Sequence, residues 1–68
     1  MKIEIGKYYK SRSSYYIKIH SVCEEYYYVQ YPSVDRLSKR LRTAIDTLYD
    51  NGTFVECTED EFLIKSIQ

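Results

Sequence analysis

Apolar and polar residues alternate along most of the first 31 positions, as they do in strands that bury one face. Ile17 and Ile19 fall on one face of such a strand, with Lys18 between them on the other. Pro32 ends the pattern because it has no backbone N–H to donate to a strand ladder. We therefore predict three strands, at residues 2–10, 15–22 and 26–31.

The apolar positions of these strands also predict how they pair. Pairing Ile17 with Val29 and Ile19 with Tyr27 gathers the apolar side chains on one face of an antiparallel sheet. That register requires a connection slightly longer than two residues. Gly6 interrupts the alternation of the first strand, and we expect the strand to bend there.

A helical repeat replaces the alternation after Pro32. Ser33 is a suitable N-cap residue, and Gly52 can adopt the left-handed conformation that ends helices. The apolar residues between them follow the spacing of one helical stripe: Val34, Leu37, Leu41, Ala44, Ile45 and Leu48. This spacing predicts a helix over residues 34–50.

The last part of the chain predicts two shorter elements. Residues 53–57 have the composition of a strand, and Thr58 with Glu61 forms a capping-box pattern. A helical turn and a last short strand are expected within residues 59–67. The whole chain, 1–68, is then one α+β domain of order β-β-β-α-β with an added short strand. Its sheet is expected to be bent into a half-barrel against the helix.

Charge is balanced over the chain but divided along it. The 68 residues contain ten basic and ten acidic side chains. Residues 1–42 hold nine of the basic and four of the acidic ones, whereas residues 43–68 hold one and six. Such a division either creates a bipolar surface or is neutralised when the two parts fold together.

The residues that could support catalysis or metal binding are few. His20 is the single histidine, and with Cys23 and Cys57 it gives three scattered candidate ligands instead of the paired set that zinc requires. No partner completes a catalytic triad or dyad on His20. We therefore expect no enzyme activity, no metal and no cofactor.

The same residues predict the compartment. Two cysteines are too few for a disulfide-dependent secreted scaffold, and the opening residues lack the apolar core of a signal peptide. The longest apolar run, Tyr26–Val29, is far too short to span a membrane. We expect a cytoplasmic protein with reduced thiols and no membrane partner.

Tyrosine is the unusual residue of this chain, since eight of the nine tyrosines lie within the first 31 residues. Adjacent tyrosines in a strand point to opposite faces, so each pair sends one ring away from the core. We predict an outward aromatic patch with a basic margin as the partner-binding site, formed by Tyr8, Tyr16, Tyr26, Tyr28, Lys18 and Arg12. The alternative is that Phe62, Leu63 and Ile67 cover this second face.

An exposed aromatic patch of this kind favours a binding module. Tyrosine is enriched at protein interfaces, so a protein partner is the leading hypothesis. Tyrosines beside basic residues also suit single-stranded nucleic acid, although the sequence pI of about 6.5 is low for that class. A homodimer whose tyrosines bury one another is a third hypothesis.

Two segments carry a resemblance to a known class of protein. The opening Ile5-Gly6-Lys7-Tyr8-Tyr9 and the closing Thr58-Glu59-Asp60-Glu61-Phe62-Leu63, in so short a chain, resemble the small accessory and inhibitor proteins encoded by bacteriophages. The resemblance implies a protein without catalysis that occludes or diverts a host protein. It assigns no role to any individual residue.

Overall fold

The computed structural model describes residues 3–12 and 15–66, which form one antiparallel sheet of five strands with two helices. In chain order the elements are β1 (Tyr8–Ser11), β2 (Tyr16–Cys23), β3 (Tyr26–Gln30), β4 (Ser38–Leu41), α1 (Arg42–Asp50), β5 (Phe54–Cys57) and α2 (Glu59–Ser66). The first four strands form a meander, and β5 returns beside β1, so the order across the sheet is β4-β3-β2-β1-β5. The predicted α+β class is confirmed, but the sheet has five strands and the order is β-β-β-β-α-β-α.

The core lies between the sheet and α1. The strands contribute alternate side chains, among them Tyr9, Ile17 and Val29, each with no more than 1% of its surface exposed. Ile45 of α1 is buried against them, and the ring of Tyr49 meets that of Tyr9 edge-on at 5.7 Å. The period-two pattern of the sequence therefore identified the buried face of these strands correctly.

The first strand is shorter than predicted. β1 begins only at Tyr8, because Gly6, with a φ of +87°, forms a turn before it. The Gly6 N–H donates to the carbonyl of Ile19 at 2.7 Å. This turn buries Ile3 and leaves Ile5 58% exposed, so the two do not share a face as a continuous strand over residues 2–10 would require. Residue 2 of the predicted strand lies outside the described residues.

A β-bulge changes the predicted register of β2 and β3. Ile19 pairs with Val29, and Ser21 pairs with Tyr28, which leaves His20 as the extra residue between them. The predicted partners of Ile17 and Ile19 are therefore displaced by two residues. Up to Ile19 this shift of two keeps every side chain on its predicted face, so the buried residues Ile17, Ile19 and Val29 are unaffected. Beyond the bulge, Ser21 and Val22 change faces, since they lie opposite Tyr28 and Tyr27.

The first half of the predicted helix is not helical. Residues 34–37 form a loop, and Ser38–Leu41 is strand β4, so α1 covers only the second half of residues 34–50. Ser33 has a φ of +64°, and Leu41 occupies the N-cap position without a side-chain cap. Pairing with β4 satisfies the backbone groups along β3 that a helix would have left without strand partners.

The end of the chain forms a helix where a short strand was expected. α2 continues through Ser66, and the predicted capping box is present at its start. The Glu61 N–H donates to Thr58 Oγ1 at 3.2 Å, and the Thr58 N–H donates to Glu61 Oε1 at 3.3 Å. The side chain of each residue thus accepts a hydrogen bond from the backbone N–H of the other. Ile67 lies outside the described residues.

Candidate binding face

The sheet face opposite α1 gathers most of the residues predicted to bind a partner. Tyr8 lies opposite Lys18 in the β1–β2 ladder, and Tyr16 lies opposite Lys10. Four tyrosines from three strands project from this surface, which we call the tyrosine face: Tyr8, Tyr16, Tyr26 and Tyr28. All four are half-buried.

α2 crosses one end of the tyrosine face. The buried ring of Phe62 packs on Tyr8 with ring centroids 5.1 Å apart, and Glu59 accepts a hydrogen bond from the Tyr8 hydroxyl at 3.2 Å. Further along the helix, Lys65 lies over the ring of Tyr16. The alternative in which the C-terminal segment covers this face therefore holds for the end occupied by Tyr8 and Tyr16, although Leu63 is itself about half exposed.

The other end of the tyrosine face lies beside β4. The β3–β4 ladder sets Tyr26 opposite Leu41 and Tyr28 opposite Lys39, so these four side chains share one face. Lys39 and Leu41 are both exposed, and Leu41 leaves 49% of its surface in contact with solvent. We call these four residues the open end.

Lysine ammonium groups lie above three of the four rings. Lys39 Nζ is 4.5 Å from the centre of the Tyr26 ring, and Lys18 Nζ is 5.6 Å from that of Tyr8. Lys65 Nζ is 5.7 Å from the centre of the Tyr16 ring. These distances are within the range of cation–π attraction. The face therefore presents positive charge held directly over aromatic surface.

Arg12 lies apart from this arrangement. Its N–H donates to the carbonyl of Thr53 at 3.1 Å, and its guanidinium lies beside Gly52 in the turn between α1 and β5. The structure thus places five of the six predicted contact residues on one face and Arg12 at another part of the molecule. Lys39 and Leu41 were missed because the sequence placed them on a helix.

Two ion pairs join the basic and acidic parts of the sequence. Lys10 Nζ is 2.9 Å from Glu61 Oε2, and Lys7 Nζ is 3.3 Å from Glu56 Oε2. The hydrogen bond to Lys10 lowers the pKa of Glu61, helped by the N–H of Thr58. The hydrogen bond to Glu61 raises the pKa of Lys10. The first pair fastens α2 to β1, while the basic groups of β4 stay exposed.

The thiols and the histidine form no site in the described part of the chain. Cys23 is exposed and Cys57 is buried, and both are free. Burial raises the pKa of the Cys57 thiol, which keeps it in the unreactive protonated form. No group of three or more potential metal ligands occurs among residues 3–12 and 15–66. His20 is exposed at the bulge, where its Nδ1 lies 3.1 Å from Ser21 Oγ.

Comparisons with known proteins assign no family to the chain. No family model matches it, and no match was found among the curated proteins or the solved structures. Neither helix of the described residues is long and apolar enough to cross a membrane.

Proposed function

We propose that this chain is a non-enzymatic binding module that engages a protein partner through its tyrosine face, and that it modulates or inhibits that partner in the cytoplasm. One observation carries the proposal: four tyrosines from three strands share one face, and one end of that face is left exposed beside β4. Tyrosine is enriched at protein interfaces and among their hot spots, and polar side chains form the rim around them.

The open end defines the contact. Tyr26, Tyr28 and Leu41 supply apolar surface, and Lys39 supplies positive charge over the Tyr26 ring. A partner that fits this surface presents an apolar patch with carboxylates at its margin, because the carboxylates pair with the lysine while the patch covers the rings. Tyr8 and Tyr16 pack against Phe62 and Lys65 of α2, at the other end of the same face.

Single-stranded nucleic acid is the second candidate, favoured by the row of lysines along the tyrosines. Stacking of bases requires free ring faces. One face of Tyr8, Tyr16 and Tyr26 is instead turned to a lysine, and the Tyr8 ring also meets Phe62. This arrangement favours the protein partner.

An affinity capture from bacterial lysate distinguishes the two candidates. The tagged chain is used as bait with and without nuclease, and the captured material is eluted with rising salt. A discrete protein band that survives nuclease is expected, with a shallow dependence on salt. Loss of the bands after nuclease, with a steep salt dependence, would favour nucleic acid, because phosphate contacts release counterions.

A further inference from the structure

The two edge strands of the sheet carry opposite charge. β4 has Lys39 and Arg40 at its centre, both exposed, and no acidic residue. β5 contains Glu56, with Asp50 shortly before it and Glu59 shortly after it, all exposed. Within the described residues each of these strands pairs on one side only, since β4 and β5 end the strand order. The outer side of each edge can therefore accept another strand.

These charges select which edges can meet. Two β4 edges bring lysine and arginine together, and two β5 edges bring carboxylates together, so each edge repels its own kind. A β4 edge beside a β5 edge brings opposite charges together. We propose that a second copy of this chain docks head-to-tail, with its β4 added beside β5, so that the sheet continues from one copy to the next.

The side-chain faces agree with this join. Arg40 lies opposite Tyr27 in its ladder, and Glu56 lies opposite Tyr9. Tyr27 and Tyr9 both point to the core, so Arg40 and Glu56 project from the same side of the sheet. β4 is antiparallel to β3, and β5 is antiparallel to β1. Since β1 and β3 are both antiparallel to β2, they run in the same direction, and so do β4 and β5. A copy translated along the sheet therefore sets Arg40 beside Glu56 in a parallel pairing.

An open cleft lies along the β5 edge and provides room for the incoming copy. Its volume is about 430 Å³, and its lining includes Tyr49, Phe54 and Val55. With Arg40 beside Glu56, the parallel register sets Ser38 of the incoming copy beside Phe54 at the start of β5, and Leu37 comes just before it. Leu37 is 40% exposed, so the incoming copy brings exposed apolar surface to this end of the β5 edge.

Glu56 already has a partner, which the join must share or displace. Lys7 pairs with it at 3.3 Å, but both side chains are about half exposed. An ion pair this open to water is held weakly, so an incoming arginine can compete for the carboxylate.

Head-to-tail joining predicts a particular pattern of molecular mass. A heterologous contact leaves a free edge at each end of every assembly, so growth does not stop at two copies unless a ring closes. In light scattering at low salt, we expect the average mass to rise steadily with concentration above 8.2 kDa. High salt should return the mass to that of one chain, because it screens exposed charges.

A charge swap tests the contact directly. In the join, Arg40→Glu sets a glutamate against Glu56, and Glu56→Lys sets a lysine against Arg40, so like charges meet and each variant alone should remain monomeric at low salt. In a mixture of the two, every unlike pair of copies has complementary edges, and assembly should return. Circular dichroism of each variant is the control: a folded spectrum would show that a loss of assembly does not come from unfolding.

Three results would overturn the head-to-tail join: a monomeric parent at every concentration, assembly of the single variants to the same mass as the parent, or a mixture that stays monomeric. A dimer of fixed mass that disappears in Tyr28→Ser would also overturn it, because the copies would then meet through the tyrosine face. The join uses β4, which also carries Lys39 and Leu41 of the open end, but it does not involve Tyr26 or Tyr28. Its failure would therefore leave the proposed partner contact through those two rings untouched.

Discussion

Tyr27 and Tyr28 are neighbours in β3 and point to opposite faces of the sheet. Tyr27 is buried in the core, and its hydroxyl donates to Asp46 Oδ1 at 2.8 Å. Burial, followed by the hydrogen bond to Asp46, raises the pKa of Tyr27, so its hydroxyl stays protonated as a donor. Tyr28 is half-buried on the tyrosine face. Because side chains alternate along a strand, Tyr27 packs in the core while its neighbour Tyr28 lies on the tyrosine face.

Tyr27→Phe should lower stability because it removes the hydroxyl that satisfies Asp46. We expect the free energy of unfolding in urea to fall by about 1 kcal/mol, the usual net value of such a hydrogen bond. Tyr28→Phe is the matched control, since no hydrogen bond of its hydroxyl is seen within residues 3–12 and 15–66. Equal stability of Tyr27→Phe and the parent would show that the Tyr27–Asp46 bond contributes nothing.

Glu61 links the stability of the fold to acid. The hydrogen bond to Lys10 lowers the pKa of Glu61 below its ordinary value of 4.5, so the folded protein binds this proton less tightly than the unfolded chain. The pair therefore stabilises the fold above that value, and its contribution is lost as the pH falls through the lowered pKa. Glu61→Gln should show a smaller loss of stability between neutral pH and about pH 3.

The control for this titration is Glu25→Gln, at an exposed position in the turn between β2 and β3. Its unfolding free energy should follow that of the parent at both pH values. If Glu61→Gln also follows the parent at both, the Lys10–Glu61 pair does not couple folding to pH.

At the scale of elements, the sequence predicts a residue's face better than its element. The alternation located the core side of β1, β2 and β3, because burial of one face imposes that pattern directly. Residues 34–41 fitted the helical stripe through Val34, Leu37 and Leu41, yet all three are partly exposed and none is in a helix. Residues 38–41 instead pair with the edge of β3, and a pattern within residues 34–41 cannot predict that long-range pairing. The bulge at His20 was likewise not predicted, because neither a glycine nor a proline marks it in the sequence.

For the candidate site as well, the sequence predicted the faces of residues better than the elements that carry them. Five of the six predicted contact residues share a face, since that depended on alternation alone. Arg12 follows the end of β1, where its position depends on the turn between α1 and β5. Lys39 and Leu41 were not predicted because they reach the face only through β4.

The capping box of α2 was predicted from Thr58 and Glu61, and it can be tested by removing the cap. Thr58→Ala should lower the free energy of unfolding by about 1 kcal/mol, because the Glu61 N–H loses its acceptor. Thr58→Ser keeps a hydroxyl at the same position and should retain most of the stability. Thr58→Ala and Thr58→Ser of equal stability would mean that the hydroxyl has no capping role.

At the scale of the whole molecule, the two helices divide the work of covering the sheet. α1 closes the core on one face, while α2 crosses the other face at Tyr8 and Tyr16 and is fastened there by Glu61 and Lys10. At the end of the tyrosine face beside β4, Lys39 and Leu41 are exposed, and this is where we propose that a partner binds. The charge division of the sequence is neutralised in part by the ion pairs and persists at the two edges of the sheet.

Binding through the open end is tested most directly by comparing two tyrosine variants in one capture experiment. The double variant Tyr26→Ser and Tyr28→Ser removes the open-end rings, whereas Tyr15→Ser removes a 36% exposed ring that packs edge-on against the core residue Phe54. After nuclease treatment, with both baits shown to be folded, the amount of partner retained is measured against the parent bait.

We expect the double variant to lose most of the partner, about tenfold or more for a loss of 1.4 kcal/mol, and Tyr15→Ser to retain it. Undiminished capture by the folded double variant would contradict the assignment of the tyrosine face as the binding surface.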